Sequence, residues 1–130
     1  MTLARAVLDA SAVIAMLRDE RGADVIAGYA VDALISTVTL QEVVKVLLSD
    51  GASPTAARGM IDPLNLEVRA HEVDDAWAAA MLWQATKTKG SSLGDRTCMA
   101  LAIAKGLPAI TTDKAWGALS IPGLTVILAR

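Results

Sequence analysis

Four acidic residues occupy equivalent places along the chain and are the side chains best suited to chemistry. Each stands at the end of a short apolar run or near the start of a helical stretch, and they are Asp9, Glu42, Asp95 and Asp113. In an open parallel sheet, ligands bind at the carboxyl ends of the strands, so acids distant in sequence can share one crevice there. Four carboxylates brought together would repel one another unless a cation held them.

The donor atoms of this set indicate which cation it would hold. They are all oxygens, and no His or Cys cluster accompanies them, because the chain has one histidine and one cysteine. Oxygen ligands suit Mg²⁺ or Mn²⁺ better than zinc. Such an ion orients phosphate and lowers the pKa of an attacking water, so the predicted chemistry is phosphodiester hydrolysis.

The same acids also have structural interpretations. Asp9 stands where an N-cap residue would. Thr39 and Glu42 have the spacing of a capping box, and so have Ser92 and Asp95. The helix after Asp95 is apolar nearly all round, which predicts that it is buried. A buried carboxylate without a partner is strongly destabilising, so we expect a positive group opposite Asp95.

Apolar runs alternate with helical patterns along the whole chain. Five runs predict strands, at 6–8, 33–36, 66–69, 109–112 and 123–128. Helices are predicted between them, over 10–18, 23–30, 37–50, 53–62, 73–86 and 92–105. This alternation predicts an α/β fold, a three-layer α/β/α sandwich with a central, mostly parallel five-stranded sheet. With no linker or repeat visible, residues 1–130 are predicted to form a single domain.

Composition narrows the function classes. Hydrophobic residues make up 54% of the chain, and phenylalanine is absent, so the core must come from aliphatic residues. The net charge of -2 does not predict a broad basic surface for nucleic acid, and any such contact must be local. The single cysteine, Cys98, is interpreted as a core residue. No apolar run approaches the ~20 residues of a membrane span, so we expect a soluble, cytoplasmic protein.

Four short motifs in this order resemble those of a known family. They are Asp9-Ala10-Ser11 after an apolar strand, Glu42 in a Thr-led helix, Ser92-Leu93-Gly94-Asp95-Arg96, and Thr111-Thr112-Asp113. The chain resembles the PIN-domain ribonucleases over its whole length, and in particular the VapC toxins of bacterial and archaeal toxin–antitoxin pairs. Gly94 is a departure, since these toxins more often carry alanine there.

The resemblance implies a PIN fold and an endoribonuclease that depends on Mg²⁺ or Mn²⁺. By this likeness one or two metal ions would be bound by the four acids, and Ser11 and Thr111 would support them through hydrogen bonds. The implied partners are a VapB-type antitoxin, a structured RNA substrate such as tRNA or rRNA, and a second copy of the chain in a homodimer. Promoter DNA would be contacted only through the antitoxin.

Several other residues have two interpretations. Arg96 could contact substrate phosphate or pair with an acid of the cluster, and Lys114 could line an RNA path or act at a helix end. His71 is expected on the surface or in a loop. Trp77 and Trp83 are expected in the core or an interface, in preference to stacking on bases.

Two other functions are alternatives to the nuclease. The first is a non-catalytic PIN-like module that binds RNA or protein through the same crevice, although a pure binding module has no need of four mutually repelling acids. The second is a phosphatase or receiver of another doubly wound fold. A phosphatase would carry a second aspartate two residues after Asp9, where this chain has Ser11.

Overall fold

A computed structural model describes residues 5–130, and a five-stranded parallel sheet lies at its centre. The sheet order is β3-β2-β1-β4-β5, and every neighbouring pair is parallel. The strands are β1 Val7–Leu8, β2 Leu34–Ser36, β3 Glu67–Arg69, β4 Ala109–Thr111 and β5 Val126–Leu128. The predicted α/β class and strand number are confirmed, although each strand is shorter than its apolar run.

The order of the strands creates a switch point beside β1. From β1 the chain adds β2 and then β3 on one side, and it returns to the other side of β1 to add β4 and β5. Leu8 of β1 pairs with Ile110 of β4. The connection that follows β1 therefore runs to one side of the sheet, and the connection that follows β4 runs to the other. This divergence opens a crevice beyond the carboxyl ends of the two strands.

Helices cover both faces of the sheet. They are α1 Ala10–Leu17, α2 Ala23–Ala27, α3 Thr37–Ser49, α4 Pro54–Ile61, α5 Val73–Ala80, α6 Trp83–Thr86 and α7 Leu93–Lys105. Short 3-10 helices cover Asp62–Leu64 and Lys114–Ala118. The helix predicted over 73–86 is interrupted by a turn between α5 and α6, and the one predicted over 23–30 ends at Ala27.

Two separate apolar cores show why the layers form. Adjacent strand residues point to opposite faces, so Leu8 packs with α1, α2 and α3, whereas Val7 packs with Cys98 and Met99 of α7. All four of these side chains are fully buried. Full burial of one such aliphatic side chain stabilises the fold by roughly 1.5–3 kcal/mol. The result is the predicted three-layer sandwich, with α7 on the face opposite α1.

Local capping residues set where the helices near the crevice begin. The Asp9 carboxylate caps α1, and Ser92 with Asp95 forms the capping box of α7, as predicted. The capping box predicted for Thr39 and Glu42 is wrong. Ser36 caps α3 three residues earlier and accepts the Thr39 amide, so Glu42 lies in the second turn and its carboxylate takes no part in capping.

The tryptophans of α5 and α6 are largely exposed. Trp77 and Trp83 lie outside the core, with 70% and 54% of their surfaces exposed, so the core interpretation does not hold and the interface interpretation stays a prediction. None of the helices in residues 5–130 combines the length and hydrophobicity needed to span a bilayer.

Candidate active site

All four predicted acids border one cleft at the switch point. Its volume is about 270 Å³. The residues around it come from the end of β1, from α1, from α3, from the start of α7 and from the second position after β4. The lining residues are Asp9, Ala10, Ser11, Ile14, Glu42, Gly94, Asp95 and Asp113. The fold therefore brings together carboxylates that are more than a hundred positions apart in the chain.

Asp9 is the most constrained of the four acids. It is 5% exposed. Its Oδ1 accepts from the Ser11 hydroxyl at 2.7 Å and from the Ala12 amide at 2.9 Å. Its Oδ2 accepts from the Thr111 hydroxyl at 2.5 Å. Three donors fix the orientation of the carboxylate and compensate for part of its lost hydration.

The two hydroxyl groups beside Asp9 connect it to the end of β4. The Ser11 hydroxyl also accepts from the Thr112 amide at 3.0 Å, and the Thr111 hydroxyl accepts from the Asp113 amide at 3.0 Å. Each hydroxyl thus donates to one acid and accepts from the backbone that leads to another. This network fixes the α1 start against the β4 end, the two segments that flank the switch point.

Asp95 and Asp113 are held by local backbone bonds. Asp95 Oδ2 accepts from the Ser92 amide at 2.9 Å, and the exposed Asp113 accepts from the Ala115 amide at 3.0 Å. The cation expected opposite Asp95 is not found, since none of the ion pairs within residues 5–130 includes this acid. Asp95 is only half-buried and accepts the capping bond from the Ser92 amide, so it does not require that partner.

The electrostatics of the cleft follow from burial and mutual repulsion. Burial raises the pKa of the Asp9 carboxyl, its three hydrogen bonds oppose that rise, and the charge of Asp95 adds to it. Burial also raises the pKa of half-buried Glu42, with Asp95 and Asp9 adding to the rise and Lys45 opposing it. The site therefore holds negative charge at an energetic cost, which a bound cation would remove.

Comparison with known proteins places the chain in a family. The family model for the PIN domain matches residues 6–121. The chain belongs to the PIN domain family. No curated protein matches it by sequence.

Solved structures share the fold of this PIN domain at low sequence identity. A chain of a toxin-antitoxin complex from Klebsiella pneumoniae is 21% identical with a TM-score of 0.76, covering 96% of this chain and 98% of its own. A chain of DNA-bound VapBC from Salmonella typhimurium is 17% identical with a TM-score of 0.76, covering 98% and 100%. A chain of VapBC-5 from Mycobacterium tuberculosis is 24% identical with a TM-score of 0.61, covering 96% and 98%.

The donor set of this PIN domain fits a hard divalent cation. Four carboxylates border the cleft. Burial raises the pKa of Glu42, and the charges of Asp95 and Asp9 raise it further. Within residues 5–130, no three such side chains are already spaced to enclose an ion. Glu42 and Asp113 end in rotatable carboxylates, so small side-chain rotations are what binding would require.

The remaining predicted residues lie outside the acid cleft. The Arg96 guanidinium donates to the Ser91 carbonyl at 2.9 Å and lines a separate cleft of about 350 Å³ with His71 and Trp83. It makes no ion pair with the acids in the described part of the chain, so the pairing role is not observed. Lys114 is exposed, directly after Asp113.

Sequence reasoning missed the part that Gly94 plays in the cleft. Its backbone lies against the Glu42 carboxylate, and the two residues come from helices on opposite faces of the sheet. The only signal in the sequence was a glycine in the first turn of an otherwise strong helix, where glycine is disfavoured.

Proposed function

We propose that this PIN domain, residues 1–130 acting as a single domain, is an endoribonuclease that depends on Mg²⁺ or Mn²⁺. The observation that carries the proposal is the convergence of Asp9, Glu42, Asp95 and Asp113 on one cleft at the switch point of the sheet. Burial raises the pKa of Asp9 and Glu42, and the charges of the neighbouring acids add to the rise. Holding a cation explains why such a cluster would be kept.

The residues of the cleft have distinct proposed roles. A bound Mg²⁺ or Mn²⁺ would orient the scissile phosphate and lower the pKa of the attacking water. Asp9 offers a fixed carboxylate, because Ser11 and Thr111 hold its orientation. Half-buried Glu42 and Asp95 border the same cleft as exposed Asp113, beside which the RNA backbone would enter. One or two ions are compatible with four such ligands.

Substrate contacts beyond the acids are proposed for two basic residues. Lys114 follows Asp113 at the surface, within reach of a phosphate that enters the cleft. Arg96 lies in the neighbouring cleft, beside Trp83, whose ring also faces the Lys87 ammonium at 5.0 Å. These local cations would attract the RNA backbone although the chain as a whole carries a net charge of -2.

We further propose that the nuclease is the toxin of a toxin–antitoxin pair, with a VapB-type antitoxin as its partner in the cytoplasm. Support comes from the shared fold with chains of a toxin-antitoxin complex and of VapBC complexes. The proposal includes a homodimer, a structured tRNA or rRNA as substrate, and contact with DNA only through the antitoxin.

Cleavage of total cellular RNA by the purified chain tests the nuclease. Discrete cuts are expected with Mg²⁺ or Mn²⁺ and are expected to vanish in chelator and in Asp95→Asn. The matched control is Asp24→Asn, an exposed acid of α2 outside the cleft, which should cut like the wild type. Fragment sequencing would identify the RNA and the position of the cut.

Two outcomes would contradict the proposal. Cuts that persist in chelator would show that the activity does not depend on a metal ion. Tight RNA binding without cuts in either metal, in protein shown to be free of antitoxin, would favour the non-catalytic binding module.

A further inference from the structure

The glycine at position 94 is explained by space, not by backbone conformation. Gly94 is the second residue of α7, and its φ is not in the left-handed region that favours glycine. Alanine would suit a helix better. The toxins that the chain resembles more often carry alanine at this position, so the feature that favours glycine must belong to this chain.

That feature is the carboxylate of Glu42. A Cβ atom placed on Gly94 would lie 2.6 Å from Glu42 Cδ and 2.9 Å from Glu42 Oε2, and it would overlap Oε1. Contacts under 3.0 Å to a Cβ essentially never occur. The Glu42 carboxylate thus occupies the volume that any other residue at position 94 would fill.

The position of the Glu42 carboxylate depends on packing against Gly94, whereas hydrogen bonds position the other three carboxylates. Hydrogen bonds hold the carboxylates of Asp9, Asp95 and Asp113. None of the hydrogen bonds or ion pairs found in residues 5–130 includes the Glu42 carboxylate. Its position at the start of α7 is favoured by the positive end of the helix dipole and is defined by packing against Gly94.

We infer that Gly94 is a positioning residue, which admits the Glu42 carboxylate into the acid cleft and so sets the affinity of that cleft for a divalent cation. The part that concerns the cation rests on the proposed function, and the part that concerns packing does not. Alanine at position 94 would turn the end of a flexible side chain away from the cleft. The fold would tolerate this change, whereas the cleft would lose one of its four carboxylates.

Thermal unfolding of metal-free protein tests the packing. Gly94→Ala is made in the wild type and in a Glu42→Ala background. Without the Glu42 side chain, alanine has room, and its better helix propensity should raise the Tm by roughly 3 °C. In the wild type the rise should be smaller or reversed. Equal shifts in the two backgrounds would overturn the inference, whether or not the protein binds a metal ion.

Titration with Mn²⁺, followed by calorimetry, tests the effect on the cleft. Gly94→Ala should weaken Mn²⁺ binding about tenfold, the lower end of the loss that is typical when a residue that positions a ligand is changed. The control is Gly59→Ala in α4, whose Cβ would meet nothing within 4 Å and whose φ is also not left-handed. It should bind Mn²⁺ like the wild type. Unchanged affinity in Gly94→Ala would overturn the inference, whereas a wild type that binds no Mn²⁺ would overturn the proposed function and leave the unfolding cycle to decide the packing.

Discussion

The Thr111 hydroxyl donates to Asp9 Oδ2 at 2.5 Å, joining two residues that are 102 positions apart. The same oxygen accepts from the Asp113 amide. A single buried hydroxyl therefore holds one acid of the cleft directly and fixes the backbone of another. Since β1 and β4 are neighbours in the sheet, this bond also connects the two strands whose ends form the switch point.

Replacement of Thr111 by valine should destabilise the fold and impair the site together. Valine keeps the shape and removes the hydroxyl, which leaves a buried Asp9 oxygen and the Asp113 amide each short of a partner. We expect the free energy of unfolding to fall by about 1–3 kcal/mol. RNA cleavage at saturating metal should fall at least tenfold, because Asp9 loses its fixed orientation. Urea denaturation and the cleavage assay measure the two effects.

The neighbouring residue provides the control. Thr112 is also buried, and its hydroxyl takes part in none of the hydrogen bonds found between residues 5 and 130. Thr112→Val should therefore change stability by much less, and Thr111→Ser, which keeps a hydroxyl, should retain most activity. If Thr111→Val and Thr112→Val changed stability and cleavage equally, the hydrogen bond from Thr111 to Asp9 would not be the cause.

The raised pKa of Glu42 predicts a distinctive pH dependence in metal-free protein. An acid whose pKa is raised in the folded state binds protons more readily there, so the stability that it gives is lost as the pH rises. Below its ordinary pKa of 4.5, Glu42→Gln and the wild type should be equally stable. Above it, the variant should become the more stable of the two. Urea denaturation in chelator between pH 4 and pH 7 measures the difference.

A second acid should show the opposite sign under the same conditions. The hydrogen bond from Arg5 lowers the pKa of exposed Glu67, so its stabilising effect is present at neutral pH and disappears as the pH falls below its ordinary value. Glu67→Gln should therefore be less stable than the wild type at pH 7 and equal to it at low pH. If both variants changed in the same direction with pH, the assigned cause would be wrong.

Local sequence signals were enough to predict the strands and helices that form the cleft. Strand and helix alternation predicted the sheet, and Asp9 and Ser92 marked helix starts where the structure places them. These features depend on neighbours a few residues away. The class of fold and the gathering of the strand ends follow from them.

Contacts between elements that are distant in the sequence could not be predicted from it. Ser36 and Thr39 are both acceptable caps, and only the paired length of β2 decides that Ser36 is used. The approach of Glu42 to Gly94 depends on where α3 and α7 meet across the sheet edge. No positively charged side chain among residues 5–130 pairs with Asp95, and the need for one depends on how far the packed structure buries this acid. Each requires the packed structure.

Cys98 should not react with thiol reagents in the folded protein. Burial raises the pKa of its thiol, and the nearby charges of Asp9, Asp95 and Glu42 raise it further, so the reactive thiolate is disfavoured. Labelling with a thiol reagent should therefore proceed only as fast as the protein unfolds, and urea should accelerate it. Rapid labelling of folded protein, before any change in circular dichroism, would contradict the assigned burial.

Divalent cations should stabilise the wild type through Asp9. A ligand that binds only the folded state adds about 2.7 kcal/mol when present at a hundred times its dissociation constant. Asp9→Asn keeps an oxygen that can accept from Ser11 and Ala12, so the start of α1 should remain capped. The variant should fold. In chelator the relief from a buried charge opposes the loss of the acceptor for the Thr111 hydroxyl, so its free energy of unfolding should stay within about 1–3 kcal/mol of the wild type. It should lose most of the rise in Tm on adding Mn²⁺. Asp24→Asn should keep the full rise, and an equal rise in Asp9→Asn would place the cation elsewhere on the protein.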